Sequence, residues 1–159
     1  MFRIGQGIDI HAFTSERNNI VLGGVEIEHD MGLAGHSDAD ALIHAICDAM
    51  LGALAMGDIG QYFSDTDPAY KNANSEMFLQ KIYAMVLDKG WHMANIDSTI
   101  MTEQPKIAPY VPSMQQNLAK ILDLNTNQVS IKATRAEKLG SLGRQEGLMA
   151  MANVLLYKK

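Results

Sequence analysis

Phe2-Arg3-Ile4-Gly5-Gln6-Gly7-Ile8-Asp9-Ile10-His11-Ala12 is the stretch from which the fold is read. Ile4, Ile8 and Ile10 fall on one parity and Asp9 and His11 on the other, the period of two that a β-strand requires. A strand here aims a carboxylate and an imidazole to the same side. At the far end, Leu148 to Leu156 is apolar on both faces, which predicts either a central strand or one buried against another subunit.

Between these ends the pattern changes period several times. Residues 20–28 predict two short strands around Gly23-Gly24. From Ser37, a plausible N-cap, Leu42, Ala45, Ile46, Ala49 and Ala53 form a helical stripe ending before Gly57. A second helix is predicted from Ser75 to Lys89, carrying Phe78, Ile82, Met85 and Val86 and stopping at Gly90. A strand through Ile96 and Ile100 follows. Pro109 opens a third helix with Met114, Leu118, Ile121 and Leu122 inward, and Val129 to Thr134 returns as a strand. With no repeat and no linker, the reading is α+β: residues 1–159 as one domain, a sheet backed by helices on one face.

The 159 residues, 47% of them hydrophobic, suffice for one core. A formal net charge of −5 gives no basic field for nucleic acid or an anionic membrane, so the expected partner is a small molecule or a protein. The lone Cys47 can form no intrachain disulfide and reads as a packing thiol. Trp91 and most of the eleven methionines read as core, His29 and His92 as surface. No signal-peptide pattern and no membrane-length apolar run occur, and a cytoplasmic location is expected.

Chemistry concentrates in three groups. Asp9, His11 and a helical His44 are mixed oxygen and nitrogen ligands that suit zinc with one coordination position left open. Asp40, His44 and Asp48, spaced by four, line one helix face away from the apolar stripe, either as a solvated face or as part of that centre. His36-Ser37-Asp38 precedes the helix, where free N–H groups attract an anion and an ordinary cap would also fit. Late in the chain, Gln104-Pro105-Lys106, Lys132 to Gly140 and Gly143-Arg144 combine cations, a hydroxyl, a carboxylate and glycines, the needs of diphosphate and Mg²⁺ recognition; taken alone they read as a charged surface loop. The long polar segment from Asp58 to Asn74, with Phe63 inside it, is a further candidate for binding.

Arg3 to His11, Gly35-His36-Ser37-Asp38-Ala39-Asp40 with His44, Gly57-Asp58-Ile59-Gly60, Phe63-Ser64-Asp65-Thr66-Asp67-Pro68, Gln104-Pro105-Lys106, and Glu137-Lys138-Leu139-Gly140 with Gly143-Arg144 occur in an order and spacing that resemble the 2-C-methyl-D-erythritol 2,4-cyclodiphosphate synthase family. The resemblance covers nearly the whole chain. It implies a homotrimer with sheets around a central channel and active sites shared between neighbours. Asp9, His11 and His44 would bind zinc, and Glu137 would help hold Mg²⁺ or Mn²⁺ on the diphosphate. The substrate would be 4-diphosphocytidyl-2-C-methyl-D-erythritol 2-phosphate, whose 2-phosphate attacks the β-phosphorus and expels CMP.

The resemblance further implies that His36, Lys106, Arg135 and Glu137 serve catalysis. Asp58, Gly60, Phe63 and Asp65 would lie along the methylerythritol part, and Gln104, Pro105, Lys106, Ile107 and Ala108 with Thr134, Arg135, Ala136 and Glu137 along the cytidine diphosphate. Asp9, Ile10, His11, His36, Ser37, Ile59, Ser64, Thr66, Asp67, Thr102, Glu103, Ser141 and Arg144 would complete the substrate contacts. Two positions depart from the family pattern: Arg135 stands where a second threonine is usual and Ser141 where an aromatic is. Arg135 either reaches the diphosphate or points to solvent; the second is expected, because Ala136 and Ser141 differ as well. A non-catalytic nucleotide- or metal-binding trimer and a zinc phosphohydrolase are the competing readings.

Overall fold

The computed structural model describes residues 1–64 and 66–158. Strand β1 (Phe2–Thr14) turns its odd positions toward helix α1 (Ala41–Ala53). Gly5 and Gly7 occupy that face, and a Cβ on either would meet the carbonyl oxygen of Ala49 or Ala45 at 1.8 or 2.0 Å. Bare backbone at both positions lets the helix lie directly on the strand. Asp9 and His11 continue the same face, so His44 of α1 arrives beside them.

The remaining elements follow as β2 (Asn19–Leu22), β3 (Val25–Glu28), β4 (Gly32–Leu33), α2 (Ser75–Asp88), β5 (His92–Met101), α3 (Val111–Ile121), β6 (Val129–Thr134), α4 (Gly140–Gly143) and β7 (Gly147–Tyr157). The main sheet has the order β4-β1-β7-β5-β6, with β5 and β6 parallel and the other pairs antiparallel, while β2 and β3 form a separate hairpin. One register row crosses the sheet from Ile10 through Met149 and Met101 to Thr134. Asp9 and His11 and the loops after β5 and β6 therefore share one end of the sheet. β5 and β6 stand two and three inter-strand spacings from β1, roughly 10 and 14 Å.

The doubly apolar last segment is a central strand, the first of the two expected alternatives. Leu148, Ala150, Ala152, Val154 and Leu156 are buried with the apolar stripe of α1 and with Phe78, Leu79 and Ile82 of α2. The opposite face, with Met149, Met151 and Leu155, is only half-buried, and Ile4, Ile8 and Ile10 extend it at 74%, 49% and 60% exposure. Cys47 is buried, and burial pushes its thiol well above the ordinary range, as packing rather than reactivity requires. No described helix is long and apolar enough to cross a membrane.

Several expectations are corrected. The first helix begins at Ala41, capped by Asp40 and not Ser37: the Asp40 side chain accepts from the Ile43 N–H at 3.0 Å. It also accepts from Gly23 and Gly24 N–H at 3.0 and 2.7 Å, and the residue is fully buried. Asp40 therefore belongs to neither a solvated face nor the metal cluster; it ties the β2–β3 turn to the helix and occupies the place where an anion would have docked. Pro109 lies in a 3-10 turn, Ala108–Tyr110, and α3 starts at Val111 with Ile121 only partly buried. His29 is half-buried, stacked on Phe13 at 5.3 Å between centroids, whereas His92 is exposed.

Candidate metal centre

Asp9, His11 and His44 each bring one ligand atom to a common point. Asp9 Oδ2 lies 2.8 Å from His11 Nε2 and 3.0 Å from His44 Nδ1, and the two nitrogens are 3.4 Å apart. A tetrahedral zinc with ligands at about 2.0–2.1 Å needs donor atoms about 3.3 Å from one another, so this triangle is close to the required size. His11 Nδ1 donates to the Ala34 carbonyl at 2.6 Å, which fixes one proton there and leaves Nε2 to meet either a second proton or a cation. The cluster is largely sheltered, with side-chain exposures of 24%, 16% and 14% for Asp9, His11 and His44.

Without a cation, this crowding falls on protons. Burial raises the Asp9 carboxyl, but the hydrogen bonds and charge of His11 and His44 outweigh it and hold the group well below the carboxylate range. Burial lowers His11, and Asp9 together with the Ala34 carbonyl more than reverses that, so His11 lies above its ordinary value. A divalent ion takes over the role of that proton, and the donor set fits zinc: one carboxylate, two imidazoles and an open side facing a cavity.

That cavity, about 500 Å³, is lined by the three ligands with Gly35, His36, Ser37, Ile59, Gly60, Phe63, Ser64, Tyr70 and Phe78. Phe63, Tyr70 and Phe78 form an aromatic wall, with Phe63 and Phe78 centroids 4.5 Å apart. Asp48, one turn beyond His44, accepts from the Ile59 N–H at 2.7 Å and pins the loop. His36 Nε2 donates to the Asp67 carbonyl at 2.9 Å. Asp58 and Asp67 cap short 3-10 turns at Ile59–Gln61 and Pro68–Tyr70, and with Thr66 they lie outside the cavity lining. Ile10 points to the opposite sheet face, so its side chain does not reach the cavity. Asp65 lies outside the described residues.

A second groove, of about 320 Å³, collects Thr102, Glu103, Pro105, Lys106, Ile107, Ala108, Pro109, Ala133, Thr134 and Arg135. It joins two of the late motifs, which taken alone read as a charged surface loop. Arg135 both lines the groove and is exposed, so lining the groove and facing solvent are not exclusive in one chain. Gln104, Ala136, Glu137 and Ser141 lie outside its lining, and Glu103 Oε1 accepts from the Lys138 N–H at 2.9 Å, bracing the turn that carries Glu137. Arg144 Nε pairs with Glu146 at 2.7 Å on the surface. Reading the sequence alone missed Tyr70 and Ser75, read Asp38 only as part of an anion-binding or capping sequence, and assigned Phe78 to the core only; an aromatic at the cavity edge has the same periodic signature as a core residue.

Fold and site together define a mixed α+β domain built around a metal-capable carboxylate-imidazole cluster at the floor of a cavity. Residues 2–157 match the model of the YgbB family, and the chain belongs to that family. Over 159 residues, the whole of both chains, it is 52% identical to the 2-C-methyl-D-erythritol 2,4-cyclodiphosphate synthase of Lysinibacillus sphaericus. Its structure superposes on the bifunctional IspDF from Campylobacter jejuni with a TM-score of 0.95 at 42% identity, covering 100% of this chain and 43% of that one. It superposes on IspF of Plasmodium falciparum, solved as a CDP complex, with a TM-score of 0.87 at 33% identity over 99% of this chain and 97% of that one.

Proposed function

We propose that this chain converts 4-diphosphocytidyl-2-C-methyl-D-erythritol 2-phosphate to 2-C-methyl-D-erythritol 2,4-cyclodiphosphate and CMP. The observation that carries the reading is the convergence of Asp9, His11 and His44 in a cavity open on one side, in a chain alignable end to end with a synthase of that name. An oxygen of the 2-phosphate attacks the β-phosphorus, the bond to the CMP oxygen breaks, and the ring closes. Such a transfer needs positioning and charge neutralisation more than a protein nucleophile. Zinc held by the cluster supplies a Lewis acid that neutralises phosphate oxygens. His36 and Ser37 face the same cavity as donors, and the Phe63 wall covers the apolar side of the polyol.

The nucleotide half is assigned to Lys106, Thr134 and Arg135, with Glu137 helping to hold Mg²⁺ or Mn²⁺ on the diphosphate. The active unit in this reading is a homotrimer, each site built from the metal cavity of one chain and the nucleotide groove of its neighbour. The roughly 10 to 14 Å between the two halves within one chain supports it, as does the open apolar face of Ile4, Ile8 and Ile10. The highly charged, water-soluble substrate suits a cytoplasmic location. Phosphorus NMR of the zinc- and magnesium-loaded protein with substrate tests the function: a cyclic diphosphate plus CMP is expected. Free phosphate would mean a hydrolase, and unchanged substrate a binding module.

A further inference from the structure

We propose that Ser75 and Asp38 are positioning residues for the metal centre, forming a hydrogen-bonded chain that fixes His44 as an Nδ1 ligand. The inference rests on the zinc reading above. Ser75 is fully buried at the first position of α2. Its backbone N–H donates to Asp38 Oδ2 at 3.0 Å, and its hydroxyl is in a short hydrogen bond with Asp38 Oδ1. An ionised carboxylate only accepts, and a serine hydroxyl has a single proton to give. With that proton donated to Asp38, Ser75 Oγ must accept from the group on its other side, His44 Nε2, at 2.9 Å. A proton is thereby held on Nε2, and Nδ1 is the nitrogen turned toward Asp9 and His11, where a cation would take the place of a second proton.

The opposite polarity would leave Asp38 facing an oxygen lone pair. The surroundings favour the ionised acceptor: Asp38 sits at the N-terminal end of α2, where the helix dipole stabilises negative charge, and the Asp40 N–H donates to it at 3.3 Å. Ala39, buried between Asp38 and Asp40 with φ at +59°, takes the left-handed turn that sends one carboxylate to Ser75 and the next to the cap of α1. Such a conformation costs a residue with a Cβ about 1 kcal/mol, so the surrounding contacts hold it in place. A carboxylate acting on a ligating histidine is a known way to orient and strengthen a metal ligand; here a serine carries it across the gap.

Zinc affinity by chelator competition, combined with long-range nitrogen–proton correlation spectra of His44, tests the chain in the intact oligomer. In the unsubstituted protein, Nε2 is expected to keep its proton both with and without zinc, with Nδ1 taking a second proton toward Asp9 when zinc is absent. Ser75→Ala is expected to weaken zinc about ten- to a hundredfold and to give a mixed His44 tautomer, with Ser75→Thr recovering most of the affinity. A His44 ring with Nε2 unprotonated in the zinc-free protein would overturn the inference, as would unchanged zinc affinity in a folded Ser75→Ala. If Ser75→Ala does not fold, the tautomer in the unsubstituted protein and the affinity of Asp38→Asn decide. Should the unsubstituted protein take up no zinc, the metal reading falls, and the His44 tautomer still judges the relay.

Discussion

The metal cavity and the late groove are two halves built on opposite plans. In the cavity, donors are committed before any ligand arrives: His11 is fixed by Ala34, His44 by Ser75, and the Ile59 loop by Asp48. In the groove, Lys106 and Arg135 are exposed, and among the described residues neither takes part in an ion pair. Ordering such a side chain costs up to about 2 kcal/mol, so the groove gains its geometry only when a ligand or a neighbouring chain supplies counter-charges. In the proposed reading the difference separates chemistry from recognition: the reacting end is preorganised on a strand and a helix, and the leaving nucleotide would be met by adaptable loops.

The contrast can be broken at the metal half first. His44→Ala removes one of the cluster's three ligands, and both stoichiometric zinc and activity are expected to fall to background in a folded oligomer. Metal analysis checks this, and retained zinc would remove His44 from the centre. Asp40→Ala, which removes a side chain that hydrogen-bonds none of the three metal-cluster residues, should cost about 3 kcal/mol of stability, from a lost cap and two stranded N–H donors. Denaturant melts should register that loss.

A pH series sharpens the same half. In the zinc-free chain His11 titrates above its ordinary value, so its contribution to stability is complete below about pH 6.5 and fades as pH rises through the raised folded value. Zinc binding instead requires the bare imidazole and strengthens as pH rises. The gap in melting temperature between zinc-loaded and chelated protein should therefore widen from about pH 6 to pH 8; a constant gap would contradict the assignment of His11. The smallest effect belongs to the groove, where Arg135→Thr is expected to weaken CDP binding less than tenfold, since the guanidinium is solvated and Thr134 stays in place. Calorimetry with CDP measures it.

How much was legible followed from which forces are local. Period-two alternation put Asp9 and His11 on one face, and the stripe from Leu42 to Ala53 fixed α1, because each pattern is dictated by a single element. The role of Asp40 was misread because its hydrogen-bond partners Gly23 and Gly24 lie on a distant turn. Gly5 and Gly7 were the missed signal. Two glycines at a spacing of two, just ahead of Asp9, allow a helix backbone to touch the strand, and that contact brings His44 to the cluster. The pairing of Ser75 with Asp38 was invisible for the same reason as the role of Asp40, since it lies in contacts between segments 37 residues apart.

Co-assembly of two inactive variants tests most directly whether one chain's metal cavity works with its neighbour's groove. His11→Ala disables the first half and Lys106→Ala the second, and each alone should be inactive. Subunits mixed in equal amounts and reassembled should recover about a quarter of the unsubstituted activity, because one pairing in four joins an intact cavity to an intact groove. Mixed oligomers that form and stay inactive would contradict sharing of the site between chains.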